Sequence, residues 1–365
     1  MRFQSPKSQA VMLEATRLVA AGRPSDATAI LQRSLGVTTP DTAAERSAWN
    51  LSDRLREWFG RTAPYARHNS APVLNPEPRS EAGQFLSRTY HNGAGARGYR
   101  LYVPSGYNGQ PVPLVVMLHG CQQSPEDFAT GTRMNMHAEK LIWLIAYPEQ
   151  SAAANGSRCW NWFLPEDQRR DEGEPSLIGG ITRQVMNDFV VDPARVYAAG
   201  LSAGGATAAI MGATYADLYA AVGIHSGLPF GAAQDIPSAF AAMRSGAHVR
   251  QGTRRSSIVP TIIFHGDQDR TVNPQNAELI LAQAAPGARL RKTVQRVEVP
   301  GSRDYTRTCY VDRTRLVVLE YWLIHGVAHA WSGGSRTGSY TDPRGPDATA
   351  GMMRFFGEHQ RPSAV

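Results

Sequence analysis

The sequence predicts an α/β protein, a mostly parallel sheet with helices on both faces, preceded by a helical extension. Three observations predict it. Strand-like apolar runs recur between residues 99 and 324 with helical or loop-rich stretches between most of them, an order that wraps helices around parallel strands. The β-branched and aromatic run Arg195–Ala199 passes through Ser202 into an Ala- and Gly-dense stretch, 203–211, that reads as a tightly packed helix. No apolar run approaches the roughly 20 residues needed to cross a bilayer, and a chain of 365 residues has room for one large domain plus an appendage.

Taken in order, residues 1–60 form the helical extension. Val11, Ala15, Leu18 and Val19 recur at helical spacing, "AGRPSDA" breaks the pattern, and Ala27, Ile30, Leu31 and Leu35 resume it. A third stretch puts Leu51, Leu55, Trp58 and Phe59 on one face. These helices are expected to pack on the main domain, with a partner- or surface-binding role as the alternative. Residues 61–84 combine Pro, Asn and Ser without periodicity and read as a linker. The main domain, 85–365, carries expected strands at Tyr99–Val103, Leu114–Leu118, Ile142–Tyr147, Arg195–Ala199, Ala221–Ile224, Thr261–Phe264 and Leu316–Ile324.

Composition removes several classes of function. The formal charge is +7, but its cations are nearly all Arg, spread along the chain, with lysine only at Lys7, Lys140 and Lys292. A nucleic-acid site would concentrate them among aromatics, so no nucleic-acid partner is expected, only a weak attraction to anionic surfaces. The polar N-terminus lacks the apolar core of a secretory signal, which predicts a cytoplasmic address. Cys121, Cys159 and Cys309 are too few and scattered for a disulfide scaffold or a zinc site. Free cytosolic thiols are the default expectation, and the spacing leaves open whether Cys121 and Cys159 approach each other.

The chemistry centres on Ser202, flanked by Gly200 and Gly204 at a strand-to-helix turn. An ordinary Gly/Ser turn would show the same five residues. A serine hydroxyl is a poor nucleophile at neutral pH and needs a base to take its proton and a carboxylate to orient that base. After the strand "PTIIF", the stretch "HGDQDRTVNP" supplies two carboxylates just past a strand's C-terminal end, where catalytic groups gather in such sheets. Asp269 is the chosen acid, because the turn must carry it beyond the strand, and Asp267 is read as a helix-capping turn residue. His329, in the small-residue loop "VAHAWSGG", is the chosen base, with His325 the more structural rival. His225 and His265 are read as packed, hydrogen-bonded residues. Backbone donors for a developing oxyanion would come from Ala203, which follows the serine, and Cys121, in the loop after "LVVML", with His119 fixing that loop. A thiol nucleophile at Cys121 is the weaker alternative. Trp160, Trp162 and Trp331 could wall an acyl pocket or simply pack.

With "LHGCQQ", "CWNWF", "GLSAGG", "HGDQDRTV" and "HAWSGGSRTGSYTDPRGPDA" present in order, the sequence resembles the polyhydroxybutyrate (PHB) depolymerase-type esterases of the α/β-hydrolase superfamily over roughly residues 85–360. The resemblance implies an α/β-hydrolase fold, a triad of Ser202, Asp269 and His329, and an oxyanion hole that includes the Cys121 loop. Feruloyl and acetylxylan esterases share this core, so the fold transfers more safely than the substrate. Secreted depolymerases of this kind carry a signal peptide and a C-terminal polymer-binding domain; this chain resembles an intracellular version, with Ala328 and Ser332 where many relatives have Gly and Pro. The expectation is a serine esterase acting on poly(3-hydroxybutyrate) or its oligomers, without metal or organic cofactor, at home in the cytoplasm or on a PHB granule surface. A feruloyl or acetylxylan esterase is the alternative, and a non-catalytic granule- or protein-binding module is the alternative of another class.

Overall fold

Val112–Leu118 (β3) is buried at every position, as a strand covered on both faces must be, and it lies inside a ten-stranded sheet. The computed structural model describes residues 83–247, 259–285 and 289–362. The predicted helices of the extension and nearly all of the predicted linker lie outside the described residues.

The elements run β1 (Gln84–Asn92), β2 (Gly95–Val103), β3, α1 (Pro125–Thr132), α2 (Met134–Leu141), β4 (Leu144–Pro148), α3 (Gly173–Asp188), β5 (Val191–Leu201), α4 (Ala203–Thr214), β6 (Ala221–His225), α5 (Ile236–Ser245), β7 (Thr261–Gly266) and α6 (Gln275–Ala284). They continue with β8 (Arg291–Val297), β9 (Tyr305–Val311), β10 (Val317–Ile324), β11 (Trp331–Ser332), β12 (Thr341–Asp342) and α7 (Ala348–Gly357). Strand order across the large sheet is β1-β2-β4-β3-β5-β6-β7-β10-β9-β8. From β4 to β10 every neighbouring pair is parallel, and both flanks are antiparallel. This is the expected α/β architecture. Parallel strands share one C-terminal edge, so the loops after β3, β5, β6, β7 and β10 open on the same side of the sheet.

Two details depart from the expected strands. Ile142 is not in β4: it is the left-handed C-cap of α2, with φ 58°, and its N–H bonds back to Ala138 O. β1, β8 and β9 were not anticipated as strands. β8, "RKTVQRV", is exposed at six positions and half-buried at the seventh, so it has no alternation of apolar and polar faces to betray it. At the far side of the core, Tyr197 stacks on Phe356 at 4.8 Å and on Trp143 at 5.6 Å, tying β5 to α7.

Candidate active site

The turn from β5 to α4 is set by two glycines and one strained residue. A Cβ on Gly204 would stand 2.6 Å from His119 O, closer still to the carbonyl of Leu118, and a Cβ on Gly200 would collide with the Gly204 backbone. Helix and strand can therefore meet this closely only with glycine at both positions. Ser202 between them has φ 58° and ψ −119°, a conformation that costs on the order of 1–3 kcal/mol for a residue with a side chain. Its N–H donates to His225 O at 2.9 Å and its carbonyl accepts from Ala206 N. Ala203 opens α4, so its N–H belongs to the first turn, which has no partner within the helix.

Beyond β7 the two aspartates separate into two roles. Asp269 is buried; its Oδ1 accepts from Thr271 N at 2.9 Å and Val272 N at 2.8 Å. Its Oδ2 faces His329 Nδ1 at 2.7 Å and His265 Nε2 at 3.4 Å. Burial alone would push this carboxyl up, but the imidazoles of His329 and His265 and their hydrogen bonds outweigh it and hold the group well below the usual carboxylate range. A proton on His329 Nδ1, donated to Asp269, leaves Nε2 as the ring's acceptor. Asp267 instead takes His325 Nδ1 at 3.0 Å and Gly326 N at 2.8 Å, while His325 Nε2 meets Thr306 Oγ1 at 2.9 Å. That second pair fastens the end of β10 to the loop after β7. His265 Nε2 donates to Val272 O at 2.8 Å, and His225 accepts from Ser332 N on its Nε2 at 3.0 Å.

The loop after β3 packs against the serine turn. A Cβ on Gly120 would lie 3.5 Å from Leu201 O and 3.6 Å from the Ser202 Cβ. Gly120 N donates to Gln123 Oε1 at 2.9 Å, and Gln122, at φ 66°, donates to Ser157 O. His119 Nδ1 donates to Gly120 O at 2.7 Å and its Nε2 accepts from Gln150 N at 3.0 Å. Burial drives the His119 ring down to about 4, so it stays neutral and holds the loop, as expected of it. No partner is taken by the Cys121 N–H among the described residues.

The cysteine reading needs correction. Cys121 and Cys159 form a disulfide with a Cα–Cα distance of 4.2 Å, and Cys309 alone is free. Two of the three cysteines are therefore not thiols, and Cys121 has no sulfhydryl with which to attack. The crosslink joins the loop after β3 to the loop after β4.

The tryptophans also differ from an acyl wall. Trp160 has no exposed surface; its indole donates to His119 O at 3.1 Å and lies 5.6 Å from the His119 ring. Trp331, 1% exposed, stacks on His225 at 5.1 Å, meets Phe128 edge-on and donates to Thr349 Oγ1. Neither indole presents a face to a substrate in this structure. Trp162 is 6% exposed and packs edge-on against Phe163.

A buried polar cluster that the sequence did not single out supports these loops from below. Glu174, at the start of α3, accepts from Asn161 N at 2.8 Å, from Asn161 Nδ2 and from Gln150 Nε2, and Arg97 lies 3.6 Å away. Gln150 Nε2 also donates to Cys159 O at 2.9 Å. Burial, with Asp167 alongside, raises the Glu174 carboxyl to about 7. A glutamate set between a glycine and a proline carries no motif, and only the fold gathers its partners.

A family model for PHB depolymerase esterases matches residues 97–294, more than half of the chain. The chain belongs to the PHB depolymerase esterase family. Among curated relatives, the poly(3-hydroxyalkanoate) depolymerase C of Paucimonas lemoignei is 31% identical over 240 residues, which is 62% of this chain and 57% of that protein. The feruloyl esterase B of Thermothelomyces thermophilus is 29% identical over 235 residues, 59% of this chain and 78% of the relative. The chain thus spans little more than half the length of the depolymerase it matches. Of solved structures, the acetyl xylan esterase from Aspergillus awamori superimposes with a TM-score of 0.58 at 19% identity, covering 76% of this chain and all of that one. That likeness establishes the α/β-hydrolase fold. Within the family, the matched span contains Cys121, Ser202 and Asp269, while His329 lies beyond it.

Proposed function

We propose that the chain is a serine esterase that cleaves poly(3-hydroxybutyrate) or its oligomers, with Ser202 as nucleophile, His329 as base and Asp269 as the orienting acid. The observation that carries the reading is the buried Asp269 carboxylate bonded to His329 Nδ1 at 2.7 Å, in a sheet whose strand β5, separated from β7 only by β6, ends in the strained Ser202 turn. Ser202 Oγ attacks the ester carbonyl while its proton passes to His329 Nε2. The amides of Ala203 and Cys121 receive the oxyanion. The tetrahedral intermediate collapses as His329 returns the proton to the departing alkoxide, leaving an acyl-serine. Water, deprotonated by the same nitrogen, then releases the acid and restores the serine.

The hydroxyalkanoate substrate rests on the likeness to the poly(3-hydroxyalkanoate) depolymerase of Paucimonas lemoignei. A feruloyl or acetylxylan esterase is the second reading, favoured by the feruloyl esterase relative, of which this chain covers the larger share. Amorphous poly(3-hydroxybutyrate), soluble hydroxybutyrate oligomers, methyl ferulate and acetylated xylan, assayed side by side, separate them. Release of 3-hydroxybutyrate units from the first two supports the proposal, and much faster turnover of the last two overturns it. A non-catalytic granule-binding role fails if an organophosphonate probe labels Ser202 and abolishes turnover.

A cytoplasmic, granule-associated address is proposed as the one that suits an amorphous storage polyester. The Cys121–Cys159 disulfide speaks against it, because such bonds persist chiefly in oxidising compartments. Fractionating cells with thiols trapped at lysis decides the matter: the oxidised pair in an extracytoplasmic fraction would overturn the address.

A further inference from the structure

His225 touches both halves of the site through two different atoms. Its carbonyl, at the end of β6, accepts the Ser202 N–H at 2.9 Å. Its side-chain Nε2 accepts the N–H of Ser332 at 3.0 Å, three residues beyond His329. Nδ1 completes the ring's bonds by donating to Ser226 Oγ at 3.2 Å. Trp331 and Phe264 stack against the imidazole, with centroids 5.1 and 5.8 Å away. Ser332 has no exposed surface, so bulk water does not compete with His225 for its N–H. Trp331 N and Gly333 N donate the other way, to Tyr340 O just before β12 and Asp342 O within it, while the Ser332 N–H between them is aimed at His225. Burial keeps the His225 imidazole neutral, its pKa pushed well below the ordinary histidine value with His265 and His329 adding to the effect, so Nε2 retains its lone pair.

We propose that His225 is a positioning residue that fixes the His329 loop relative to the Ser202 turn by offering a neutral acceptor, Nε2, to the Ser332 backbone. This rests on the Ser202–His329–Asp269 reading. Asp269 orients the His329 ring from the β7 side, but it does not fix the distance between the loop and the serine turn. His225 is bonded to both. A shift of about 1 Å between base and nucleophile can cost on the order of a hundredfold in rate, so in this chain, with serine at 332, the tie bears on kcat. The contact also depends on residue 332 having an N–H, which serine supplies and proline would not.

The test replaces His225 by Gln, Asn and Leu. Glutamine carries its oxygen about where Nε2 stands, asparagine carries it about where Nδ1 stands, and leucine has none, while all three lose the aromatic stack. All three should unfold at similarly lower temperatures. On a soluble short-chain ester, His225→Gln should keep kcat within about fivefold of the parent, whereas His225→Asn and His225→Leu should lose about thirtyfold or more with KM little changed. The rate of organophosphonate labelling of Ser202 should fall in step with kcat. Ser332→Pro, which removes the donor, should show the same loss and add little to His225→Leu, as expected when two changes break one interaction. If kcat follows unfolding temperature whatever the acceptor, with Gln as slow as Leu, or if the Ser332→Pro and His225→Leu losses simply add, the positioning role is overturned. Ser202→Ala and His329→Ala run alongside: turnover surviving in them overturns the triad reading itself, whereas inactive controls with equal Gln and Leu rates overturn only the role of His225.

Discussion

His329 Nδ1 stands 2.7 Å from Asp269 Oδ2, and two residues earlier in the same turn Asp267 makes a matching contact with His325 at 3.0 Å. The two aspartate–histidine pairs differ in burial. Asp269 has no side-chain exposure, whereas Asp267 and His325 are each more than a quarter exposed. A carboxylate in water orients an imidazole weakly, while one shielded and fed by two backbone N–H groups holds it firmly.

Asp269→Asn is accordingly expected to reduce kcat by about three to four orders of magnitude, because an amide no longer fixes the imidazole tautomer. Asp267→Asn should change kcat by less than about tenfold, since it loosens only the end of β10. Steady-state kinetics on a soluble ester check both, and a reversed ranking would assign the orienting role to Asp267.

Ser202→Ala should lower turnover by at least about four orders of magnitude with the fold retained, since triad members act as a unit. Removing the side chain also relieves none of the left-handed backbone, so thermal stability should stay within a few degrees of the parent. Differential scanning calorimetry with an ester assay measures the two effects separately.

Glu174 predicts how stability varies with pH. Its folded-state value, raised to about 7 by burial and by Asp167, lies above the ordinary 4.5. Its stabilising contribution is therefore full below about 4.5 and lost as pH rises through about 7, because the unfolded chain gives up this proton first. The unfolding temperature should fall between pH 5 and pH 8, and Glu174→Gln should flatten part of that decline. An identical slope in the variant would move the effect to another group.

Reduction of Cys121–Cys159 opens a crosslink across 38 residues, worth roughly 4 kcal/mol by loop-closure entropy. The Cys121→Ser, Cys159→Ser double variant should melt roughly 5–10 °C lower and turn over more slowly, because the Cys121 turn loses its tie to the loop bearing Trp160. Alkylation and mass spectrometry should count one reactive thiol in the native protein after denaturation without reductant and three with it.

Much of the fold was legible because buried parallel strands leave apolar runs: β3, β6 and β7 are of this kind, and β10 is interrupted only by Glu320. The edges escaped notice for the opposite reason, since β8 is solvated on both faces and carries no period. At the candidate site, Ser202, Asp269 and His329 were legible as candidates by residue type at strand ends, and the fold brings Asp269 and His329 into contact. Trp160 and Trp331 misled, because an aromatic-rich loop reads alike whether its rings face a cavity or fill the space beneath one. The disulfide was invisible for a related reason: 38 residues of separation say nothing of two loops that meet over adjacent strands. His225 and Glu174 act through partners distant in the chain, so only the folded backbone reveals them.

Strand β8 closes one side of the sheet with Arg291, Lys292 and Arg296 all exposed, and Lys292 lies 5.7 Å from the Tyr310 ring centre. Among the described residues, no strand lies beside its outer backbone edge. A row of free N–H and C=O groups invites another chain to pair, and a cluster of cations is one way to refuse it, since two copies brought edge to edge would repel. The practical consequence concerns storage and overexpression: these three charges are expected to help keep copies of the protein from pairing along this edge. Neutralising them, by substitution or by a polyanion, is expected to expose the chain to slow ordered association during concentration, which light scattering would follow.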